Sequence, residues 1–207
     1  FHSFKEKKTK QVGDAILLSQ LTKLNVINNF RENDINNGGQ GAPLVPIFHK
    51  LLQKKLKLKM PILFVNIGGI SNVTYLGEEG EIISLDTGPG NFLIDKILQL
   101  KSKNKIQFDE DGVIAFTGNI DKNILDSYLS DPYYESLPPK SLDVNDFSLS
   151  PLRSLNLKDS VSTLSELTSI TIINALDFFN SRPKEIILCG GGRKNKYIFD
   201  RIGKLSN

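Results

Sequence analysis

The stretch PILFVNIGGISNVTYLGEEGEIISLDTGPGN, residues 61–91, contains three short apolar runs that each end at a glycine. The runs are rich in Val, Ile, Phe and Tyr, which favour strands, and the glycines between them favour turns. They predict three consecutive strands in the middle of the chain. The next stretch, PGNFLIDKILQLK, has apolar residues at helical spacing and predicts a helix that opens on a proline and a glycine.

Further helices and strands are predicted on both sides of this stretch. Helical spacing occurs in VGDAILLSQLTKL (12–24), PLVPIFHKLLQKKL (43–56), residues 159–179 and KNKYIFDRIGKL (194–205). A short strand is predicted at NVINNF (25–30), and a buried strand at PKEIILCGGG (183–192). Because strands alternate with helices, the chain predicts an α/β fold.

Composition excludes several classes of protein. The 207 residues carry 26 basic and 23 acidic side chains, a balance that does not favour nucleic acid as a partner. The single cysteine, Cys189, excludes a disulfide framework and fits a reducing cytosol. No apolar run approaches the roughly 20 residues that a membrane span needs. The sequence does not begin with Met, and we expect it to be a fragment.

Four polar turns contain glycine and lie at the ends of predicted strands or helices: RENDINNGGQGAP, NIGGISNVT, DTGPGN and CGGGRKN. Glycine permits positive φ and lets a ligand touch the backbone. Phosphates bind where backbone amides converge at such turns and at helix N-termini. One such turn alone is an ordinary connection, but four of them, each with Asn or Asp, favour a nucleotide site. A Walker loop, a G-x-G-x-x-G motif and metal-ligand spacing are all absent from the sequence.

The first of these turns begins with an unusual pair of charges. Arg31 and Asp34 are three residues apart and precede Gly38, Gly39 and Gly41. From the residues alone, Asp34 is equally an ordinary loop or capping aspartate and a functional carboxylate.

Seven segments together resemble anhydro-N-acetylmuramic acid kinases in content and order: NFRENDINNGGQGAPLVPIFHK, NIGGISNVTYL, LDTGPGNFLID, DEDGVIAFTG, PPKS, STLSELT and CGGGRKN. The resemblance runs from about Val12 to the end of the chain. It implies the fold of the sugar kinase, heat-shock and actin superfamily, an actin-like ATPase fold with two ribonuclease H-like α/β lobes and ATP in the cleft between them. Residues 1–58 would then belong to an incomplete first lobe with the catalytic loop, and residues 59–207 to the second, nucleotide-binding lobe.

The resemblance also implies a reaction. These enzymes use ATP and Mg²⁺ to open the 1,6-anhydro ring of anhydro-N-acetylmuramic acid and to phosphorylate O6. The product is N-acetylmuramate 6-phosphate, an intermediate of cell-wall recycling. The expected partners are the sugar and ATP, with no nucleic acid, no membrane and a homodimer in the complete enzyme, in the cytoplasm.

Site residues follow from the same resemblance. Asp34 is the expected general base, and Arg31 orients substrate or phosphate. The remaining sugar contacts are expected from four positions: Gly38, Gly39, Gly41 and Glu166. Contacts with the β- and γ-phosphates are expected from the second phosphate turn: Asn66, Gly68, Gly69 and Asn72. The cleft is expected to include Asp86, Gly88, Gly90 and Asn91, with Asp86 holding Mg²⁺ through water. The adenosine is expected to lie against Gly190, Gly191 and Gly192.

The sequence departs from the family pattern in three places. The first phosphate turn, G-T-S-x-D-G, is absent, and we expect roughly the first third of the enzyme to be missing with it; the C-terminus also looks short. SLDVNDF departs from the usual pattern at Asp143 to Asn145, so sugar contacts are not carried over to that loop. An inactive, sugar- or nucleotide-binding remnant is the alternative. An actin-like structural ATPase is disfavoured, because filament formation needs no positioned sugar base.

Overall fold

The computed structural model describes residues 2–3 and 8–206. A two-stranded antiparallel sheet is formed by β1 (His2–Ser3) and β2 (Lys8–Thr9). The main sheet has four strands in the order β5–β4–β3–β6. Its strands are β3 (Ile62–Ile67), β4 (Ile70–Leu76), β5 (Ile82–Pro89) and β6 (Glu185–Cys189). Three consecutive strands form an antiparallel meander, and β6 then pairs in parallel with β3.

Seven α-helices surround the sheet within the described residues. They are α1 (Ala15–Thr22), α2 (Glu32–Asn36), α3 (Pro46–Leu56), α4 (Asn91–Lys101), α5 (Lys122–Leu129), α6 (Leu157–Asn174) and α7 (Lys196–Leu205). Short 3₁₀ segments lie between them, at Glu110–Gly112, Ala115–Thr117, Pro132–Glu135, Val144–Asp146, Ser150–Ser154, Ala175–Phe178 and Gly191–Lys194. None of the described helices combines the length and apolarity needed to cross a bilayer.

The two faces of the sheet are covered by different helices. Because side chains alternate along a strand, Leu63 and Val65 of β3 lie in the main core, which α4, α6 and α7 complete on one face. Ile62 and Phe64 lie in a second, smaller cluster on the opposite face, together with Leu52 of α3. All four strand side chains are fully buried. The apolar run of β3 is therefore explained by burial on both faces.

Helix α6 is the centre of the main core and is buried on almost every side. Ten consecutive residues, Ser160 to Ser169, are buried, and many of them carry hydroxyl groups. Two of these hydroxyls bond to neighbouring segments: Ser162 donates to the carbonyl of Ala115 at 2.6 Å, and Thr168 donates to that of Pro89 at 2.9 Å. Buried polar groups are generally hydrogen-bonded. These two bonds therefore link α6 to neighbouring segments without weakening the core.

The predicted α/β fold is confirmed, and most of the predicted elements are present. The strand predicted at residues 25–30 is wrong: that stretch has no strand and is almost entirely exposed. Asn29 takes a positive φ of 57° there, which interrupts an extended backbone. The long helix predicted at 159–179 is α6, which ends at Asn174 and continues as a 3₁₀ turn.

The predicted boundary between lobes at residue 58 stays a prediction. Helix α3, which that division assigns to the first lobe, packs on the sheet of the second. The ring of His49 stacks on that of Phe64 with 4.4 Å between centroids. Burial lowers the pKa of His49, so this ring packs as a neutral aromatic side chain.

Residues 12–56 expose an unusual amount of apolar surface, and α1 buries none of its side chains. Among the exposed side chains are Ile16 at 73%, Leu21 at 74%, Ile27 at 79%, Ile47 at 65% and Phe48 at 61%. We call these five the N-terminal apolar face. Scattered exposed apolar residues are normal, whereas a high density of them in one segment is typical of an interaction surface.

We expect the isolated chain to self-associate through this face. Replacing Ile16 and Leu21 together with glutamine should lower the association measured by sedimentation velocity, because it removes apolar area that association would bury. Leu100→Gln is the matched control, since Leu100 is 67% exposed and lies on α4, outside the face. Equal association of both variants and the wild type would contradict this role.

Candidate active site

A row of four side chains with polar groups or a thiol crosses the main sheet, on the same face as Phe64. Asp86 of β5 lies opposite Asn72 of β4, Asn72 lies opposite Asn66 of β3, and Asn66 lies opposite Cys189 of β6. Residues directly opposite one another share a face of the sheet, and a bulge between Ser71 and Asn72 adjusts the pairing of β4 with β5. We call Asp86, Asn72, Asn66 and Cys189 the polar row. It joins the second and third predicted turns in one surface.

The second phosphate turn is held against the start of α4 by backbone hydrogen bonds. The amides of Gly90 and Phe92 donate to the carbonyl of Gly69 at 2.9 and 3.1 Å, and the amide of Asn91 donates to that of Gly68 at 2.7 Å. A Cβ atom on Gly90 would lie 2.3 Å from the Gly68 oxygen, so only glycine fits there. These three amides are therefore used to position the turn. They are therefore not free to donate to a ligand.

The turn after β6 meets the phosphate turn. Gly190 has a φ of 76°, and a Cβ there would lie 2.6 Å from the Asn66 side-chain oxygen. A Cβ on Gly192 would lie 2.2 Å from a methyl carbon of Ile67. Gly191 differs, because its closest neighbour would be the Asn91 side chain at 3.8 Å. Packing requires Gly190 and Gly192, whereas a side chain at Gly191 would meet no close contact.

Gly88 has a different reason for its missing side chain. A Cβ at this position would lie 2.7 Å from the hydroxyl of Thr171 on α6. The glycine therefore lets β5 approach the buried helix. Its predicted contact with the nucleotide stays a prediction.

The Arg31–Pro43 loop contains a carboxylate that accepts a hydrogen bond from a backbone amide. Asp34 is exposed, and one of its carboxylate oxygens accepts from the amide of Gly41 at 2.7 Å. A Cβ on Gly39 would lie 2.2 Å from that carboxylate, and the φ values of Gly38 and Gly41 are 88° and 72°. The three glycines thus shape the loop around Asp34. Their predicted contacts with the sugar stay predictions.

Arg31 connects this loop with the polar row. Its guanidinium donates to the carbonyl of Gly41 and lies close enough to Asp86 to act on its charge. Burial raises the pKa of Asp86 to about 6, against the opposing effects of the Leu142 amide and of Arg31. Asp86 is only 5% exposed. Arg31 is thus bonded within the loop that carries Asp34 and also acts on the pKa of Asp86.

A segment that the sequence did not mark as part of the site holds Asp86 in place. The amide of Asp86 donates to the carbonyl of Lys140 at 3.1 Å, and the amide of Leu142 donates to the Asp86 carboxylate at 2.9 Å. Between them, the hydroxyl of Ser141 donates to the side-chain oxygen of Gln40 at 2.9 Å. The segment therefore bridges β5 and the loop of Asp34. In the sequence, the only indication that this segment belongs to the site is the PPKS motif at residues 138–141.

Glu166 has partners within the protein. It is 2% exposed and accepts three hydrogen bonds from Arg201 at 2.6–2.8 Å. The hydroxyl of Tyr197 donates to it at 3.1 Å. A buried carboxylate paired in this way joins α6 to α7. Its predicted contact with the sugar stays a prediction.

The polar row fits a magnesium ion better than a transition metal. Within residues 2–3 and 8–206, no group of three His, Cys, Asp or Glu side chains is placed to hold a metal. Mg²⁺ needs fewer protein ligands, because it is commonly held by one or two carboxylates together with waters and substrate phosphates. Asp86 supplies one such carboxylate, and Asn72 lies opposite it on β4.

The raised pKa of Asp86 predicts a pH dependence of stability. Between pH 3.8, the ordinary pKa, and about 6, the folded state binds more protons at this group than the unfolded state does. The contribution of Asp86 to the free energy of unfolding should therefore fall as the pH rises through this window. Asp86→Asn should lack the fall while keeping the acceptor for Leu142. Urea denaturation from pH 4 to 8 measures the difference, and parallel curves for the two proteins would contradict the assignment.

Comparison with known proteins gives a consistent result. The model of a family described as anhydro-N-acetylmuramic acid kinase matches residues 1–206. The anhydro-N-acetylmuramic acid kinase of Pelagibacter ubique is 42% identical over 211 residues, covering 99% of this chain and 56% of the relative. That of Zymomonas mobilis is 40% identical over 188 residues, covering 90% and 50%. The chain thus spans about half the length of the curated relatives that it matches.

Among solved structures, the chain is similar to the activator of the 2-hydroxyisocaproyl-CoA dehydratase from Clostridium difficile, with 13% identity and a TM-score of 0.41. That match covers 72% of this chain and 53% of the activator. A likeness of this size supports no conclusion about the site.

Proposed function

The chain belongs to the anhydro-N-acetylmuramic acid kinase family, and from that premise we propose that its protein phosphorylates anhydro-N-acetylmuramic acid with ATP while opening the 1,6-anhydro ring. The observation that carries the proposal is the position of Arg31. Its guanidinium donates to the carbonyl of Gly41, whose amide donates to the carboxylate of Asp34, and its charge lowers the pKa of the buried Asp86. Sugar activation and phosphate neutralisation can thus take place side by side.

The proposed reaction has two linked parts. Asp34 removes a proton from a water that attacks the anomeric carbon of the sugar, and the bond from that carbon to O6 breaks. O6 then forms a bond to the γ-phosphorus of ATP as the bond to the bridging oxygen breaks and ADP leaves. Negative charge on the transferring phosphoryl group requires fixed positive charge close by. Arg31 supplies that charge from the loop that carries the base.

The nucleotide is proposed to lie along the polar row and the turns at its end. The turn at Gly68 and Gly69, with Asn66 and Asn72 beside it, would contact the β- and γ-phosphates. Asp86 would hold Mg²⁺ through water, and the ion would neutralise phosphate charge. The bare backbone at Gly191 would face the adenosine. ATP use places the proposed reaction in the cytoplasm, and a homodimer stays a prediction.

The first test replaces the proposed base. Asp34→Asn should lower kcat by about 100-fold or more, since that is the scale of general-base catalysis. Its amide oxygen can still accept from Gly41, so the loop should keep its shape. Glu32→Gln is the matched control, because Glu32 is an exposed carboxylate on the same short helix. Turnover of Asp34→Asn close to that of the control would show that another group acts as the base.

The assay uses ATP, Mg²⁺ and the anhydro sugar, with the sugar phosphate detected by mass spectrometry. We propose to measure two proteins: the 207-residue chain, and a chimera joining it to the part of the Pelagibacter ubique relative that it does not match. Since phosphoryl transfer depends on positioning and these residues contain one phosphate turn of the family's two, only the chimera should turn over. Binding without product in both proteins would favour the inactive-remnant alternative.

The second test concerns the adenosine. Gly191→Val should weaken ATP binding by about 10-fold or more while leaving sugar binding unchanged, because a side chain there would meet no protein atom closer than the Asn91 side chain at 3.8 Å and so would not disturb the core. Gly203→Val is the control, since a side chain there also meets open space but lies on α7. Calorimetry on the chimera separates the two ligands. Equal losses for sugar and ATP would instead indicate a folding defect.

A further inference from the structure

A cavity of about 480 Å³ opens beside the turn after β6. Its lining includes Asn91 and Asp95 of α4, together with Gly191 and Gly192. The ring of Phe108, which is 59% exposed, lies at the rim. The volume is within the usual range for small-molecule pockets, about 300–1,000 Å³.

Asp95 is the carboxylate of this cavity that the fold leaves for a ligand. It is half-buried, and no hydrogen bond to it is formed by the described part of the chain. The neighbouring acids are used or exposed: Asp109 accepts from two backbone amides at 2.8 and 3.0 Å, and Asp111 pairs with Lys196 at 3.4 Å. Glu110 is exposed.

Asp95 lies on α4 a short distance from the turn at Gly68 and Gly69, where the phosphates are proposed to bind. The amide of Asn91 donates to Gly68, so α4 begins at that turn. Asp95 follows four residues later on the same face of the helix, about 6 Å further along the axis. A nucleotide with its phosphates at the turn and its base in the cavity passes its ribose along this part of α4.

We propose that Asp95 accepts hydrogen bonds from the ribose hydroxyls of the nucleotide and so selects ribonucleotides over 2′-deoxyribonucleotides. The inference rests on the proposed function, because it assumes that ATP binds at this end of the sheet. The chemistry is specific: two vicinal hydroxyls donate to the two oxygens of one carboxylate, and bonds to a charged acceptor are stronger than neutral ones.

The environment of Asp95 supports this role. Burial raises its pKa to about 6, since neither a cation nor a backbone amide compensates the charge. A desolvated, unpaired carboxylate costs stability in the free protein, and bonds from a bound ribose would remove part of that cost.

The experiment compares nucleotides by ligand-observed NMR titration, a method that reports weak binding. The wild-type 207-residue chain should bind ATP about 10-fold more tightly than 2′-deoxy-ATP, the scale of a hydrogen bond to a charged group. Asp95→Ala should reduce the ratio of the two affinities to about 1, because it weakens the binding of ATP and not that of 2′-deoxy-ATP. Asp95→Asn, which keeps the side-chain volume, should give an intermediate ratio. Glu110→Gln should keep the wild-type ratio, since it removes an exposed charge from the same cavity.

The outcomes separate this inference from the function on which it rests. ATP binding without preference over 2′-deoxy-ATP, or a preference that survives in Asp95→Ala, would overturn the role of Asp95 and leave the kinase proposal standing. If Asp95→Ala instead changed the affinity for ATP relative to that for inosine triphosphate, Asp95 would contact the base. That result would also overturn the proposed contact with the ribose. Failure of both this chain and the chimera to bind ATP would reject the two proposals together. Thermal denaturation of each variant checks that the fold is intact.

Discussion

Three backbone hydrogen bonds between the Gly68–Gly69 turn and the start of α4 are the constraint on which the candidate site depends. They attach the turn between β3 and β4 to the first residues of α4. They form only because Gly90 has no side chain. The turn after β6 then packs against both, through Gly190 and Gly192. Every group proposed to contact the nucleotide is positioned from this junction. A shift of the turn would move the phosphate contacts and the nucleoside cavity together.

The in-register pairing of the sheet extends this junction to the sugar side. Since cross-strand neighbours share a face, the pairing places Asn66, Asn72 and Asp86 in one row. Arg31 approaches the end of that row from a loop that precedes the sheet in sequence. The segment at Lys140 to Leu142 closes the arrangement from the other direction. Three distant parts of the chain thus control the charge and position of a single buried carboxylate.

The glycines show how a residue type can have two explanations. The sequence associates the glycine-rich turns with a ligand, and the structure shows that most of these glycines are already required by packing. Gly88 makes room for Thr171, Gly39 for the Asp34 carboxylate, and Gly190 for Asn66. In the turn after β6, Gly191 is the exception, since a Cβ there would meet no atom closer than the Asn91 side chain at 3.8 Å. Glycine-rich turns in this chain therefore mark where segments approach closely, and a site forms where several such approaches meet.

The sequence by itself determined the fold class, the order of strands and helices along the chain, and the family, because periodicity and local motifs are properties of neighbouring residues. It also singled out Asp34, Arg31 and Asp86. It failed at residues 25–30, where apolar residues suggested a strand that has no neighbour to pair with. Only the tertiary structure decided that Glu166 pairs with Arg201, that Ser141 bonds to Gln40, and that Asp95 faces a cavity without a partner. Those facts depend on contacts between residues far apart in the chain, and such contacts are set by packing, which no local pattern records.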